Sequence, residues 1–332
     1  MTNIPLSFLD LVPVAQGSTP STALHNAAKI AQTAERIGLN RYWLAEHHNM
    51  PGIASTATSV LLAYIGANTN KIRIGSGGIM LPNHAPLVVA EQFGTLAALY
   101  GERIDLGLGR APGTDGATFR ALRRTMHDAD NFPQDVRELM SYFAPLSDQT
   151  VTAMPANGLN VPVWILGSSL FGASLAAAYG LPYAFASHFA PQMLQQAVQL
   201  YRENFKPSAY LDKPYVMVGA SLLLADTDQN ARYHYTSAQQ SFINLRRGKP
   251  QAVPPPIETM EGVWSPAEKH LLETAFSVSF VGSVDNVRPR LQAFIQGLQP
   301  DEMIVTCNIY DNDARLQSLA LVPQLDVFSL NA

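Results

Sequence analysis

Along this chain, apolar runs of strand length alternate with stretches of helical period eight times, and this rhythm limits the folds open to it more than any other feature. Strands are expected at residues 4–11, 41–45, 72–80, 104–108, 162–166, 182–187, 215–225 and 302–308. Helices are expected between them at 23–37, 56–67, 86–99, 117–143 with a break near 131–133, 171–179, 193–204 and 228–246, with closing segments at 284–296 and 314–321. Most of the strand segments are continuously apolar rather than alternating, as in parallel strands buried on both faces. Eight such units predict an α/β chain closed into a (β/α)8 TIM barrel, with an open doubly wound sheet as the competing architecture.

All 332 residues are read as one barrel domain, 1–332, because barrels of this kind reach this length with insertions. The rhythm breaks once, between strands seven and eight. Residues 247–283 carry Gly248-Lys249-Pro250 and Pro254-Pro255-Pro256, whose proline-rich part cannot be regular helix or sheet. A stretch of this length is either a surface excursion or a lid over the barrel mouth.

With 47% hydrophobic and 14% charged residues, the chain has material for a large core and does not read as disordered. A net charge of −4 gives no reason to expect nucleic acid or an anionic membrane as partner. The short basic pairs Arg123-Arg124 and Arg246-Arg247 read as solvated helix faces or termini. The single cysteine, Cys307, lies in an apolar run and reads as a buried small hydrophobe. With no basic leader and no apolar stretch of membrane-spanning length, the cytoplasm is the expected location.

In a TIM barrel the site is assembled from the loops after the strands, so each strand end is informative. Strand two ends in Ala45-Glu46-His47-His48-Asn49, where neighbouring side chains diverge and one imidazole is expected to face the centre. His84 and His188 also follow strands. A zinc site is the alternative there, but adjacent histidines lack the spacing that puts two ligands on one face of a strand. Strand three ends in Gly75-Ser76-Gly77-Gly78, either a bulge or a surface for close approach of a flat ligand. Strand four ends in Gly107-Leu108-Gly109-Arg110, whose guanidinium suits a phosphate. Strand five runs through Gly167-Ser168-Ser169 straight into a helix, an anion cradle in which one serine is also the ordinary N-cap. Asp10, at the end of strand one, is expected at the same mouth, either capping or touching substrate.

Taken in order, Trp43-Leu44-Ala45-Glu46-His47-His48, Ile74-Gly75-Ser76-Gly77-Gly78-Ile79-Met80-Leu81-Pro82 and Asp105-Leu106-Gly107-Leu108-Gly109-Arg110-Ala111-Pro112-Gly113 resemble the luciferase-like flavin-dependent monooxygenases. The match continues through 163–169, Gly180-Leu181-Pro182 and Ser187-His188-Phe189-Ala190-Pro191 and covers nearly the whole chain. The resemblance implies a TIM barrel, usually a homodimer, using FMN reduced by a separate NAD(P)H:flavin reductase. Reaction with O2 would give a C4a-peroxyflavin that oxygenates a small organic substrate. It implies His47 as the catalytic histidine and a non-proline cis peptide at Gly77-Gly78 against the flavin ring. It further implies Arg110 as the phosphate arginine, with Gly167, Ser168, Ser169 and Gly172 forming the phosphate loop. No metal is implied. Gly109 stands where the luciferase α chain has a reactive cysteine, and Gly77-Gly78 where luciferase has alanines, so neither light emission nor an aldehyde substrate is expected. A deazaflavin-dependent hydride-transfer enzyme of the same superfamily and a non-catalytic flavin-binding protein are the alternative functions.

Overall fold

The computed structural model describes residues 3–111, 115–145 and 150–331, so Pro112 and Gly113 of the strand-four run lie outside the described residues. Its strands are β1 (Ile4–Asp10), β2 (Arg41–Leu44), β3 (Arg73–Met80), β4 (Ile104–Gly109), β5 (Val163–Gly167), β6 (Tyr183–Phe185), β7 (Val216–Leu224), β8 (Ser279–Gly282), β9 (Glu302–Thr306) and β10 (Phe328–Ser329). Strands β1 to β7 pair in order, all parallel, and β9 pairs with both β7 and β1. The sheet therefore closes as an eight-stranded (β/α)8 barrel in which β9 is the eighth barrel strand. The open sheet is excluded by the β1–β9 ladder, which registers Leu6 on Met303 and Phe8 on Val305.

Two short strands lie outside the eightfold rhythm. β10 extends the N-terminal end of β1, and β8 pairs with the last residues of β7. β8 belongs to the 247–283 segment, which also contains the helix Pro266–Ala275. That helix opens with a capping box, Ser265 and Glu268, and a proline in its first turn. The prolines earlier in the segment masked this start signal. Upstream of the helix the segment crosses to the β1 side: the Val253 amide donates to Val14 and the Gln16 amide to Val253.

Each helix packs an apolar stripe against the barrel exterior. The helix Pro20–Arg36 is capped by Thr19, whose hydroxyl accepts from the Thr22 amide. It ends before Gly38 at φ +81, where an ideal Cβ would meet the Asn331 carbonyl oxygen at 2.1 Å. Inside the barrel, Leu9, Trp43, Trp164, Ala184, Met217 and Ile304 form a separate apolar layer. Beneath it the N-terminal end is plugged by ions. Asp105 receives Arg41 at 2.6 Å and Arg73 at 2.5 Å, while Arg41 also meets Glu302 at 3.1 Å. Both carboxylates are fully buried, which is tolerable because each is paired and hydrogen-bonded. The plug and the tryptophan layer fill the bottom, and among the described residues the barrel's open space lies at the C-terminal end. Among the described residues, no helix is long and apolar enough to cross a membrane.

Candidate active site

A cavity of about 800 Å³ occupies the C-terminal mouth of the barrel. That is within the range of small-molecule and cofactor sites. His47 and the Gly77–Gly78 pair line one part of it; Arg110, Gly167, Ser168, Ser169 and Gly172 line another. Residues from four different strand ends, singled out from sequence alone, thus share one space.

His47 reaches this space because the backbone around it is pinned. The Ala45 carbonyl accepts from Ser55 Oγ at 2.5 Å and Thr58 Oγ1 at 2.9 Å, and the His47 amide donates to the Ser55 carbonyl at 3.1 Å. The neighbouring side chain, Glu46, turns away and is 1% exposed. Its carboxylate receives hydrogen bonds from His48 at 2.8 Å, His84 at 2.9 Å, the Met80 amide at 3.0 Å and Asn83 at 3.2 Å. Burial alone would raise the Glu46 carboxyl, but the histidine and amide donors outweigh it and hold it at about 2. Glu46 is therefore a strut that ties the β2 loop to the end of β3, a role that sequence reasoning missed. His48 and His84, weighed as zinc ligands, are both directed at this carboxylate. Among the described residues no group of three or more metal-ligating side chains is assembled.

The Gly77–Gly78 peptide is cis, and the β3–β4 register shifts there, between Gly77 and Ile79. A Cβ on Gly77 would come within 2.7 Å of Leu9 Cδ1, and one on Gly78 within 2.7 Å of the Gly107 carbonyl oxygen. The backbone of β4 thus demands glycine at position 78, a reason additional to the close approach of a ligand, whereas at position 77 the contact is the far end of the Leu9 side chain.

Next round the mouth, after β4, the Arg110 guanidinium lies 4.4 Å from the ring centre of Phe171, in the first turn of the helix Leu170–Tyr179. Stacking fixes the fork at the helix N-terminus without neutralising it. Ser169 occupies the N-cap position in extended geometry, yet its hydroxyl makes no capping hydrogen bond. The expected bland capping role is thus absent there, and the first-turn amides and the hydroxyl remain open to an anion. Gly172 packs against Gly167, Cα to ideal Cβ 3.6 Å, leaving the cradle without side-chain bulk. These features fit a phosphate on the tail of a flavin.

Of the two roles expected for Asp10, the structure shows the capping one and not the substrate contact. It is fully buried and accepts from Arg315 at 2.7 Å, the Tyr42 hydroxyl at 2.7 Å and the Val12 amide at 2.8 Å. It braces the end of β1 and does not line the cavity. His188, considered in sequence only as a metal ligand, does line it. Its ring uses the space left by Gly219, where a Cβ would sit 2.6 Å from Nδ1. Burial, with a smaller contribution from nearby His47, pushes His188 down to about 4, so the ring is neutral at pH 7.

The sign of the resulting pH dependence follows directly. Above pH 6.5 both folded and unfolded chains hold the ring neutral. Between pH 6.5 and 4 only the unfolded chain takes up the proton, so the folded state loses up to roughly 3 kcal/mol over that window. Urea unfolding of His188→Gln should show a correspondingly flatter stability profile from pH 6.5 to 4. Parallel profiles for the two proteins would refute the assignment.

Comparison with known proteins adds the family. A family profile described as luciferase-like monooxygenase matches residues 5–301. A protein of Escherichia coli (strain K12) named luciferase-like monooxygenase is 53% identical over 320 residues, 96% of each chain. The N-acetyl-S-alkylcysteine monooxygenase of Bacillus subtilis (strain 168) is 32% identical over 254 residues, 74% of this chain and 75% of the relative. The crystal structure of apo-MsnO8 matches with a TM-score of 0.91 at 33% identity, covering 99% of this chain and 100% of that one. Two further solved structures share the fold at lower identity. One is the oxygenating constituent of 3,6-diketocamphane monooxygenase in complex with FMN (TM-score 0.72, 17% identity, all of both chains). The other is an F420-dependent secondary alcohol dehydrogenase (TM-score 0.68, 14% identity, 98% of this chain and 99% of that one). Structural neighbours therefore include both FMN and F420 enzymes. With a profile match over most of its length and a half-identical relative that spans it, the chain belongs to the luciferase-like monooxygenase family.

Proposed function

We propose that this protein is an FMN-dependent monooxygenase that receives reduced FMN from a separate NAD(P)H:flavin reductase and uses O2 to oxygenate a small organic substrate. The observation that carries this reading is the uncapped helix tip at Ser169 beside the stacked Arg110, in the same cavity as His47 and the glycine pair. Reduced FMN would supply the two electrons that activate O2, one oxygen atom entering the substrate and the other leaving as water. Arg110 and Ser168 and Ser169 hold the phosphate, with the backbone of Gly167 and Gly172 allowing close approach. Gly77 and Gly78 form the surface against the ring. His47, fixed through its backbone and lining the same cavity, would hold or exchange a proton during oxygen transfer. The whole chain, 1–332, acts as one domain, and the 247–283 segment serves as a cover, since Pro250, Gln251, Val253 and Phe276 line the cavity. The single, unpaired cysteine suits a reducing cytoplasm.

The test is anaerobic titration with reduced FMN, followed by mixing with O2. Saturable binding, and flavin reoxidation that is slower than in free solution and coupled to oxygenated product, are expected. Binding of a deazaflavin in preference to FMN, with no O2 consumption, would replace this reading by hydride transfer.

The active unit is a homodimer. Val60 (71% exposed) and Tyr64 on the helix Thr58–Ala67, with Val88 and Leu99 (64% exposed) on the helix Pro86–Tyr100, place apolar side chains in solvent on neighbouring helices. Such surfaces mark protein contacts. Sedimentation should give twice the 36.1 kDa chain mass, and Val60→Glu with Val88→Glu should return the monomer; a wild-type monomer at micromolar concentration would refute the dimer.

A further inference from the structure

The cavity carries positive charge in two separate places. Its described lining includes two guanidinium groups, Arg110 and Arg246, and no carboxylate side chain. Arg110 follows β4, whereas Arg246 ends the helix Asp228–Arg246 that follows β7, three strands further round the barrel. The two face different parts of the mouth, so a single anion group does not explain both.

The pair Arg246-Arg247, which from sequence reads as a solvated terminus, divides in the structure. Arg247 turns outward and pairs with Glu268 at 2.7 Å. Arg246 lies 5.0 Å over the Phe242 ring, both residues line the cavity, and Arg246 makes no ion pair among the described residues. An aromatic-stacked guanidinium at the rim of a cavity, with no acid partner and no lining carboxylate among the described residues, has the chemistry to receive an anion.

A second observation lies deeper in the same sector. Thr306 is 4% exposed and its hydroxyl has no hydrogen-bond partner among the described residues; the buried Oδ1 of Asn308 has none there either, and both residues line the cavity. Buried polar atoms are normally satisfied, so unpaired ones on a cavity wall point to a ligand. A carboxamide oxygen can only accept, so the ligand brings an N–H or O–H. The loop carrying Asn308 is tied to the arginine-bearing helix by the Tyr310 amide, which donates to Ser237 Oγ at 3.1 Å. Ser237 precedes Arg246 by ~13 Å of helix. Leu222, Phe242, Leu245, Val253 and Ile309 make the wall in this part of the cavity apolar.

We infer that the substrate is an apolar, medium-length monoanion: Arg246 receives its acid group at the rim, and Thr306 and Asn308 receive a hydrogen-bond donor on its body. This inference rests on the reading of the opposite wall as the flavin site, which leaves Arg246 for the substrate.

The test is calorimetric titration of the full-length protein, with and without saturating FMN, using 8-hydroxyoctanoate, octanoate and methyl 8-hydroxyoctanoate. The hydroxy acid should bind at least ~10-fold tighter than its ester, as expected for loss of a charge-assisted contact. Arg246→Gln should bring that ratio close to one, while Arg110→Gln should leave it in place. Octanoate should bind ~3-fold or more weakly than the hydroxy acid, and Thr306→Val should erase that difference. Equal binding of acid and ester, no saturable binding of the acid at millimolar concentration, or a preference that follows Arg110 would overturn the anion assignment. Equal binding of octanoate and hydroxy acid by the wild type would overturn the donor assignment. FMN titrated alone reports on the flavin site separately, so failure of that reading shows as lost FMN binding and not as a lost acid-to-ester ratio.

Discussion

Arg110→Ala should weaken FMN binding by roughly 10- to 100-fold and leave riboflavin binding within about 3-fold of wild type. The two ligands share the ring and differ in the phosphate. Loss of the Phe171 stack or a general loosening of the mouth affects both equally, whereas loss of a charge-assisted contact to phosphate affects only FMN. Quenching of flavin fluorescence on titration measures both. Arg110→Lys should recover only part of the affinity, because an ammonium restores the charge but not the planar fork. Equal weakening of FMN and riboflavin would mean that Arg110 serves the packing around Phe171 and that the phosphate lies elsewhere.

His47→Ala should lower the rate of substrate oxygenation by about 10²- to 10⁴-fold, the range of a positioned proton donor or acceptor. FMN affinity should stay close to wild type, since the phosphate cradle is built by the residues after β4 and β5 and does not use His47. The backbone at position 47 is held by Ser55 and by the Glu46 strut, and neither uses the imidazole, so the variant keeps its fold. His47→Gln keeps hydrogen-bonding capacity without an ionisable ring and separates positioning from proton transfer. The measurement is product formed per flavin oxidised in single-turnover mixing with O2. Unaltered turnover in His47→Ala would remove the histidine from the mechanism and move attention to His188, the other imidazole on the cavity wall.

Much of this site is readable in one dimension because of how a parallel barrel works. Every strand end delivers its next residues to the same face, so Glu46-His47, Gly77-Gly78, Arg110 and Gly167-Ser168-Ser169 could be assigned to one mouth before any fold was seen. Their placement around one cavity agrees with that expectation. The same logic left Asp10 as either a cap or a substrate contact, and it is the cap. It stands at the end of β1, but alternation along the strand turns its carboxylate outward to Tyr42 and Arg315. Position along a strand names the end of the barrel; the facing of the side chain also depends on twist and on the partners waiting there.

The misses concern elements with weak periodic signals. β8 is four residues long and the helix Pro266–Ala275 starts in a proline-rich neighbourhood, so neither stands out from the loop around it. Their identity comes from pairing with β7 and packing on Phe242 and Ile243.

The chain's sequence determined the strand-helix alternation and the loops that meet at the strand ends, because these are local patterns, while the β1–β9 ladder of the tertiary structure decided for the closed barrel over the open sheet. Only the tertiary structure decided which charges stay free. It sent Glu46 to two histidines, Arg247 to Glu268 and Asp10 to Arg315, and left Arg110 and Arg246 over aromatic rings without acid partners among the described residues. Ion pairing and desolvation depend on distances of a few ångströms between residues up to 305 positions apart, and no spacing along the chain encodes them.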